Sequence, residues 1–197
     1  MFDGLPRTGL PPNFGSYGEY ERTADVLVSA GLIEDTTKIW WDLRPSARFP
    51  TLEMRVCDVP TRLEDTIAIT ALYMCVTRML YRLRGKNQRW RNYQNFLIDE
   101  NRWRAQRYGV EEGLIDFGRG ELVPYADLLE ELIGLVEEDA DALGCEAEIN
   151  HLRQIAANGT SADRQLRTYN DALADGKSEQ EALQAVVDLL IEETADV

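Results

Sequence analysis

The stretch Ile39-Trp-Trp-Asp-Leu-Arg-Pro-Ser-Ala-Arg-Phe-Pro-Thr-Leu-Glu-Met-Arg-Val-Cys-Asp58 carries the densest pattern in the 197-residue chain. It reads as two short strands joined by a turn that contains Pro45 and Pro50. In the second strand Thr51, Glu53 and Arg55 alternate with Leu52, Met54 and Val56. A strand sends successive side chains to opposite faces, so Leu52, Met54 and Val56 are predicted to bury one face while Glu53 and Arg55 stand together on the other. The first strand divides the same way, with Ile39, Trp41 and Leu43 on one side and Lys38, Trp40, Asp42 and Arg44 on the other. A polar face built from two carboxylates, three cations and a Trp suits a charged ligand. It equally suits a solvated antiparallel face with cross-strand ion pairs, each worth about 0–1 kcal/mol.

Working outward, residues 1–15 are rich in Pro and Gly and read as an extended loop. Ser16 and Glu19 form a capping-box pattern that opens a helix ending before Gly31. After the strands, Thr61 as N-cap and Glu64 three residues on predict a long helix over 61–84, stopped by Gly85, whose apolar face would pack on Leu52, Met54 and Val56. Residues 87–109 read as helical with a break near 99–101, and residues 114–117 as a short strand. From Pro124 onward the pattern is helical throughout: about 124–143, 146–157, 161–174 and 179–193, with Gly144, Gly159 and Gly176 as stops and Ser178/Glu181 as a second capping box.

Composition bounds the class. With 44% hydrophobic and 28% charged residues, the chain is an ordinary globular protein long enough for a real core. No apolar run approaches the roughly 20 residues of a membrane span. The opening Met1-Phe-Asp-Gly-Leu-Pro-Arg7 lacks the basic and apolar regions of a secretory signal, so a cytoplasmic location is expected. Cys57, Cys75 and Cys145 show neither disulfide-framework nor zinc spacing and are predicted to be free thiols. The net charge of −14 is unevenly placed: residues 1–120 carry 17 Lys/Arg and 16 Asp/Glu, whereas residues 121–197 carry 4 and 19. Such a chain repels nucleic-acid phosphates, which argues against that partner. An anionic small ligand would be tolerated in the Arg-rich first part. The acidic part reads as a solvated helical exterior.

The residues Trp40, Trp41, Asp42, Arg44, Pro45, Phe49, Thr51, Glu53, Arg55, Cys57 and Asp58 resemble the Trp-Trp-Asp-x-Arg-Pro…Phe-x-Thr-hydrophobic-Glu-x-Arg-x-Cys-Asp segment of the type 2 glutamate–cysteine ligases, a carboxylate–amine ligase family. The block from Glu100 to Gly109 is similar to that family's Asn-x-Trp-x-Ala-x-Arg-x-Gly segment, and the run from Leu5 to Gly15 to its lead-in. The resemblance covers nearly the whole chain and looks like the C-terminal half of such a ligase, since family members run to about twice this length. It implies an α+β fold, a small antiparallel sheet packed by many helices, as the C-terminal half of a glutamine-synthetase-like catalytic fold. Residues 1–120 would form the sheet and site-bearing part and residues 121–197 the acidic helical part of one catalytic domain.

The resemblance also implies chemistry: a carboxylate such as the γ-carboxyl of glutamate joined to a small amine such as cysteine, with ATP and Mg2+, through an acyl phosphate. Matched to the motif, Glu53 would be a metal ligand and Arg55 a catalytic cation on the transferring phosphoryl group. Asn101, Arg104 and Arg107 recur one turn apart and would bind a substrate carboxylate or a nucleotide phosphate, with a solvated basic helix face as the alternative. Trp40 and Asp42 would line the pocket. Trp103 is expected in the core, and His151 on the surface beside Glu148. The competing expectation is a non-catalytic half that assembles with a separate N-terminal partner or with itself, because a sheet cut from a larger one exposes an unpaired edge.

Overall fold

The computed structural model describes residues 4–195. The chain divides after Asp58 into two compact units, residues 1–58 and 59–197.

The first unit is built around α1, Tyr17–Ser29. Ser16 caps it by accepting from the Glu19 N–H at 3.2 Å, and the Glu19 carboxylate reaches back to the Gly15 N–H at 2.7 Å. Tyr20 and Ala24 of α1 meet Ile33 and Ile39 in a small core, with Phe14, Leu27, Val28 and Trp41 packed around them. The opening loop contributes a two-residue strand, β1 (Thr8–Gly9), parallel to β2 (Trp40–Trp41). β3 (Leu43–Pro45) pairs antiparallel with β4 (Leu52–Met54), placing Arg44 opposite Glu53.

The predicted first strand is therefore broken at Asp42. A regular strand residue directs its N–H and C=O toward one neighbour. Asp42 instead donates its N–H to Gly9 O and accepts from the Arg55 N–H, both at 2.8 Å, so the backbone bends there and turns from one partner to the other. The face assignment also changes. Asp42 and Arg44, expected to face solvent, are buried. Leu52 and Val56, expected to be buried, are 40% and 50% exposed, and Met54 is half-buried.

The second unit centres on α2 (Leu63–Gly85), α4 (Tyr125–Leu143) and α5 (Glu146–Asn158). Ala68, Ala71, Cys75 and Met79 of α2 bury against Leu129, Ile133, Val136 and Ala140 of α4 and Ile149 and Leu152 of α5. The apolar face of α2 is thus taken by α4 and α5. Asp139, fully buried in α4, is held by Arg78 and by Arg82, the latter at 2.8 Å.

Three local expectations change here. Thr61 does not cap α2: its hydroxyl is used by Glu193 and Ser161, and the helix opens at Leu63 without a side-chain cap. Gly85 stays helical, and Asn87, with φ 57°, turns the chain out of it. Asn tolerates that left-handed conformation better than most residues. Residues 88–94 are then irregular, and α3 (Asn95–Tyr108) runs through the predicted break near 99–101.

After α3 come the antiparallel strands β5 (Leu114–Asp116) and β6 (Glu121–Val123), the second of which the sequence pattern did not reveal. The final helices, α6 (Ser161–Ala174) and α7 (Glu179–Ala195), pack chiefly on each other. A buried Arg164 fastens them, donating to Glu193 at 2.6 Å, while Arg62 reaches the same carboxylate at 3.0 Å. His151 lies part-buried, 2.8 Å from Asp65 of α2, rather than beside Glu148 on the surface.

Candidate functional site

Glu53, central in β4, meets the guanidinium of Arg44 at 2.5 Å across the strand pair. Arg44 also donates to the carbonyls of Thr37 at 2.8 Å and Ile39 at 2.6 Å, so three acceptors fix its planar fork. Arg55 approaches the same Glu53 oxygen at 3.9 Å. The side chains of Arg44, Glu53 and Arg55 are 8%, 34% and 39% exposed, which grades the cluster from a locked inner cation to an accessible outer one. Cross-strand register makes this grading, and Arg44 is the member whose role the sequence reading missed. Its position opposite Glu53 would have revealed it once the hairpin register was known.

Trp40 and Asp42 belong to the same unit. Trp40 is half-buried with the Arg7 guanidinium 5.8 Å from its ring centre, and Arg7 itself is anchored on Lys38 O at 3.1 Å. The structure therefore brings Trp40, Asp42, Glu53 and Arg55 into one unit around the Asp42 bend.

Asn101, Arg104 and Arg107 lie on α3 in the second unit. Asn101 bonds both backbone groups of Ile115, at 2.9 and 2.7 Å, and so ties β5 to α3. Arg104 donates to Gly113 O at 2.9 Å and pairs with Glu112 at 3.0 Å. Arg107 is exposed and lies 5.5 Å from the ring centre of Tyr108, which Arg104 also approaches at 5.5 Å. Trp103, expected in the core, is 51% exposed and sets its ring edge-on to Tyr108 at 5.7 Å. The helix thus presents Trp103 and Arg107 outward, while Asn101 and Arg104 hold the strand pair.

Glu53 contributes a single carboxylate, paired with Arg44 and 3.9 Å from Arg55, and the described residues contain no group of three or more His, Cys, Asp or Glu that could hold a metal ion. What the cluster can do unaided is receive an anion on the outer guanidinium, Arg55, with geometry held by Glu53 and Arg44. No helix among the described residues is long and apolar enough to cross a membrane.

The described residues form an α+β protein in which a polar hairpin sets the Glu53 carboxylate against the guanidinia of Arg44 and Arg55. The chain belongs to glutamate–cysteine ligase family 2 (GCS2), which it matches over residues 1–188. It is 61% identical over 194 residues to a protein of Rhodospirillum rubrum, covering 98% of this chain and 50% of that one. A Jannaschia relative is 60% identical over 193 residues, covering 98% and 51%, and a Sorangium cellulosum relative 45% over 195 residues, covering 99% and 50%. All three carry the name "Putative glutamate--cysteine ligase 2". The chain spans about half the length of the curated relatives it matches.

Proposed function

We propose that this chain is the site-bearing part of an ATP-dependent carboxylate–amine ligase of glutamate–cysteine ligase type. The reaction would join the γ-carboxyl of a glutamate-like substrate to a small amine such as cysteine. The carboxylate attacks the terminal phosphoryl group of ATP and ADP leaves. The amine then displaces phosphate from the acyl phosphate, and the amide forms. What supports this reading is membership of the family together with one observation, the graded Arg44–Glu53–Arg55 cluster.

In this reading Arg55 contacts the transferring phosphoryl group, where fixed positive charge matters most because the negative charge is redistributed there. Arg44 acts through Glu53 as a positioning residue. Glu53 would supply one carboxylate to Mg2+, with nucleotide oxygens and carboxylates from outside this chain completing the set; the ion would neutralise phosphate charge. Trp40 and Asp42 would border the same pocket. On α3, Arg107 is the member with room for a substrate carboxylate or phosphate, with Asn101 and Arg104 keeping α3 and the strand pair in register.

The second reading, a non-catalytic half that assembles with a separate N-terminal partner or with itself, is favoured by the exposed Leu52 and Val56. Both readings meet one experiment. ADP release dependent on glutamate, cysteine and Mg2+ is measured with the 197-residue chain alone and after adding the N-terminal half of a full-length relative. Activity only in the mixture is expected. Robust turnover by the chain alone would overturn the idea that its site is incomplete, and no turnover in a mixture shown to associate would overturn the ligase reading.

A further inference from the structure

Cys75 and Cys145 come from helices far apart in sequence, yet their sulfurs lie 3.5 Å apart. Cys75 is fully buried midway along α2, among the residues that form the core with α4 and α5. Cys145 is half-buried at the residue that opens α5, between the end of α4 and Glu146. The two thiols differ in exposure, Cys145 being half-buried and Cys75 fully buried. Nothing in the ligase reading uses either of them.

We propose that Cys145 and Cys75 form a two-thiol oxidation site that converts to an intramolecular disulfide on reaction with a small hydroperoxide. The Cys145 sulfur attacks the terminal oxygen of the peroxide, the O–O bond breaks, and the other oxygen leaves with the thiol proton, as water from hydrogen peroxide or as the alcohol from an alkyl hydroperoxide, giving a sulfenic acid at Cys145. The Cys75 sulfur then attacks the Cys145 sulfur. The S–S bond forms, the S–O bond breaks, and the hydroxyl leaves as water with the Cys75 proton. Two electrons pass from the two thiols to one peroxide.

The order of attack follows from the surroundings. Burial, and next the neighbouring Cys145 thiol, push the Cys75 thiol up to about 12, so it stays protonated and is a poor first nucleophile. A resolving thiol in van der Waals contact intercepts the sulfenic acid before further oxidation. Closing the bond needs the sulfurs to approach to about 2.05 Å, a shift of roughly 1.5 Å that side-chain rotation and a small slide of α5 can supply. The bridge would tie α2 to the start of α5 and close a long loop that contains α3, both β5 and β6, and α4.

The test uses the full chain carrying Cys57→Ser, which removes the exposed third thiol. The protein is treated with one equivalent of hydrogen peroxide, alkylated and mapped without reduction. The expected result is a mass lower by two hydrogens, no alkylation at either cysteine, a cross-linked peptide holding Cys75 and Cys145, and full reversal by dithiothreitol. The oxidised form should melt higher by about 5 °C, as expected for a long loop closed in a unit of this size. With Cys145→Ser in the same background, Cys75 should remain alkylatable after unfolding. Recovery of two free thiols, or of Cys145 as a sulfinic acid beside a reduced Cys75, would overturn the proposal. Equal oxidation of Cys75 when Cys145 is replaced would overturn it as well.

Discussion

At the scale of single residues, Arg44 and Arg55 touch the same carboxylate but should behave differently. Arg44 satisfies two backbone carbonyls as well as Glu53, so Arg44→Ala leaves three acceptors without their donor. We expect a loss of about 2–3 kcal/mol in chemical denaturation of the first unit, and Arg44→Lys should not restore it because an ammonium cannot serve three directions from one plane. Arg55 is solvent-facing, and Arg55→Ala should change stability by less than about 0.5 kcal/mol. If the proposed ligase reading holds, the same substitution should lower kcat about 100-fold or more when the chain is assayed with the N-terminal half of a relative, as removal of charge stabilisation at a reacting phosphoryl group does. Equal effects of the two substitutions on stability would refute this division of labour.

Asp139 offers a second residue-level prediction. Its hydrogen bonds from Arg82 hold its carboxyl below the usual carboxylate range, despite burial, and Arg78 adds to the effect. A carboxyl depressed in the folded state contributes stability above its unfolded value near 4 and loses it as the pH falls through the folded value. Asp139→Asn should therefore cost about 3 kcal/mol at pH 7, because two guanidinia lose their counter-charge. The gap between the two proteins should shrink as the pH is taken below about 4. Urea melts of both at pH 7 and pH 3 check this.

At the scale of elements, what was legible in the sequence was what neighbours decide. Ser178 and Glu181 cap each other within one turn, and α4, α5 and α6 end where Gly144, Gly159 and Gly176 lie. The alternation at 52–56 marked Leu52, Met54 and Val56 as one buried face, yet Leu52 and Val56 are exposed and Met54 half-buried, while α2 found its own partners in α4 and α5. Thr61 looked like a cap because Glu64 follows it, but a carboxylate 132 residues away claims its hydroxyl. Such distant partners leave no local trace. Among the candidate site residues, motif matching picked out Glu53 and Arg55, while the internal ties of Asn101 and Arg104 depended on a strand pair whose second half was invisible.

That strand pair contains a sharper test. A Cβ at Gly113 would meet Val123 O at 2.4 Å, a backbone atom that cannot step aside. Gly113→Ala should force β5 and β6 apart and destabilise the second unit by about 2 kcal/mol, read as a lowered midpoint in thermal melts followed by circular dichroism. An unchanged midpoint would mean that the hairpin is free to shift.

At the scale of the whole molecule, the chain spans about half the length of its relatives, and the segment 52–56 exposes the large apolar side chains of Leu52 and Val56. If the remaining part of a full-length relative covers it, Leu52→Lys with Val56→Asp should weaken association of the two parts at least 10-fold by titration calorimetry. The helical signal of the second unit should not change. Association unaffected by both substitutions would place the contact elsewhere.

The fastening of the last two helices has its own consequence. α6 and α7 pack chiefly on each other, and they are joined to the start of α2 by a polar cluster in which Arg164, a buried cation, is shared between Glu193, Thr61 and the carbonyl of Gly159 while Thr61 and Arg62 also reach Glu193. A joint made of charge responds to different agents from one made of oil. Concentrated guanidinium competes directly for the Glu193 carboxylate, whereas urea does not. Amide hydrogens of α6 and α7 should therefore exchange as a separate cooperative unit, opening in guanidinium well before α2, α4 and α5, and nearly together with them in urea of matched strength.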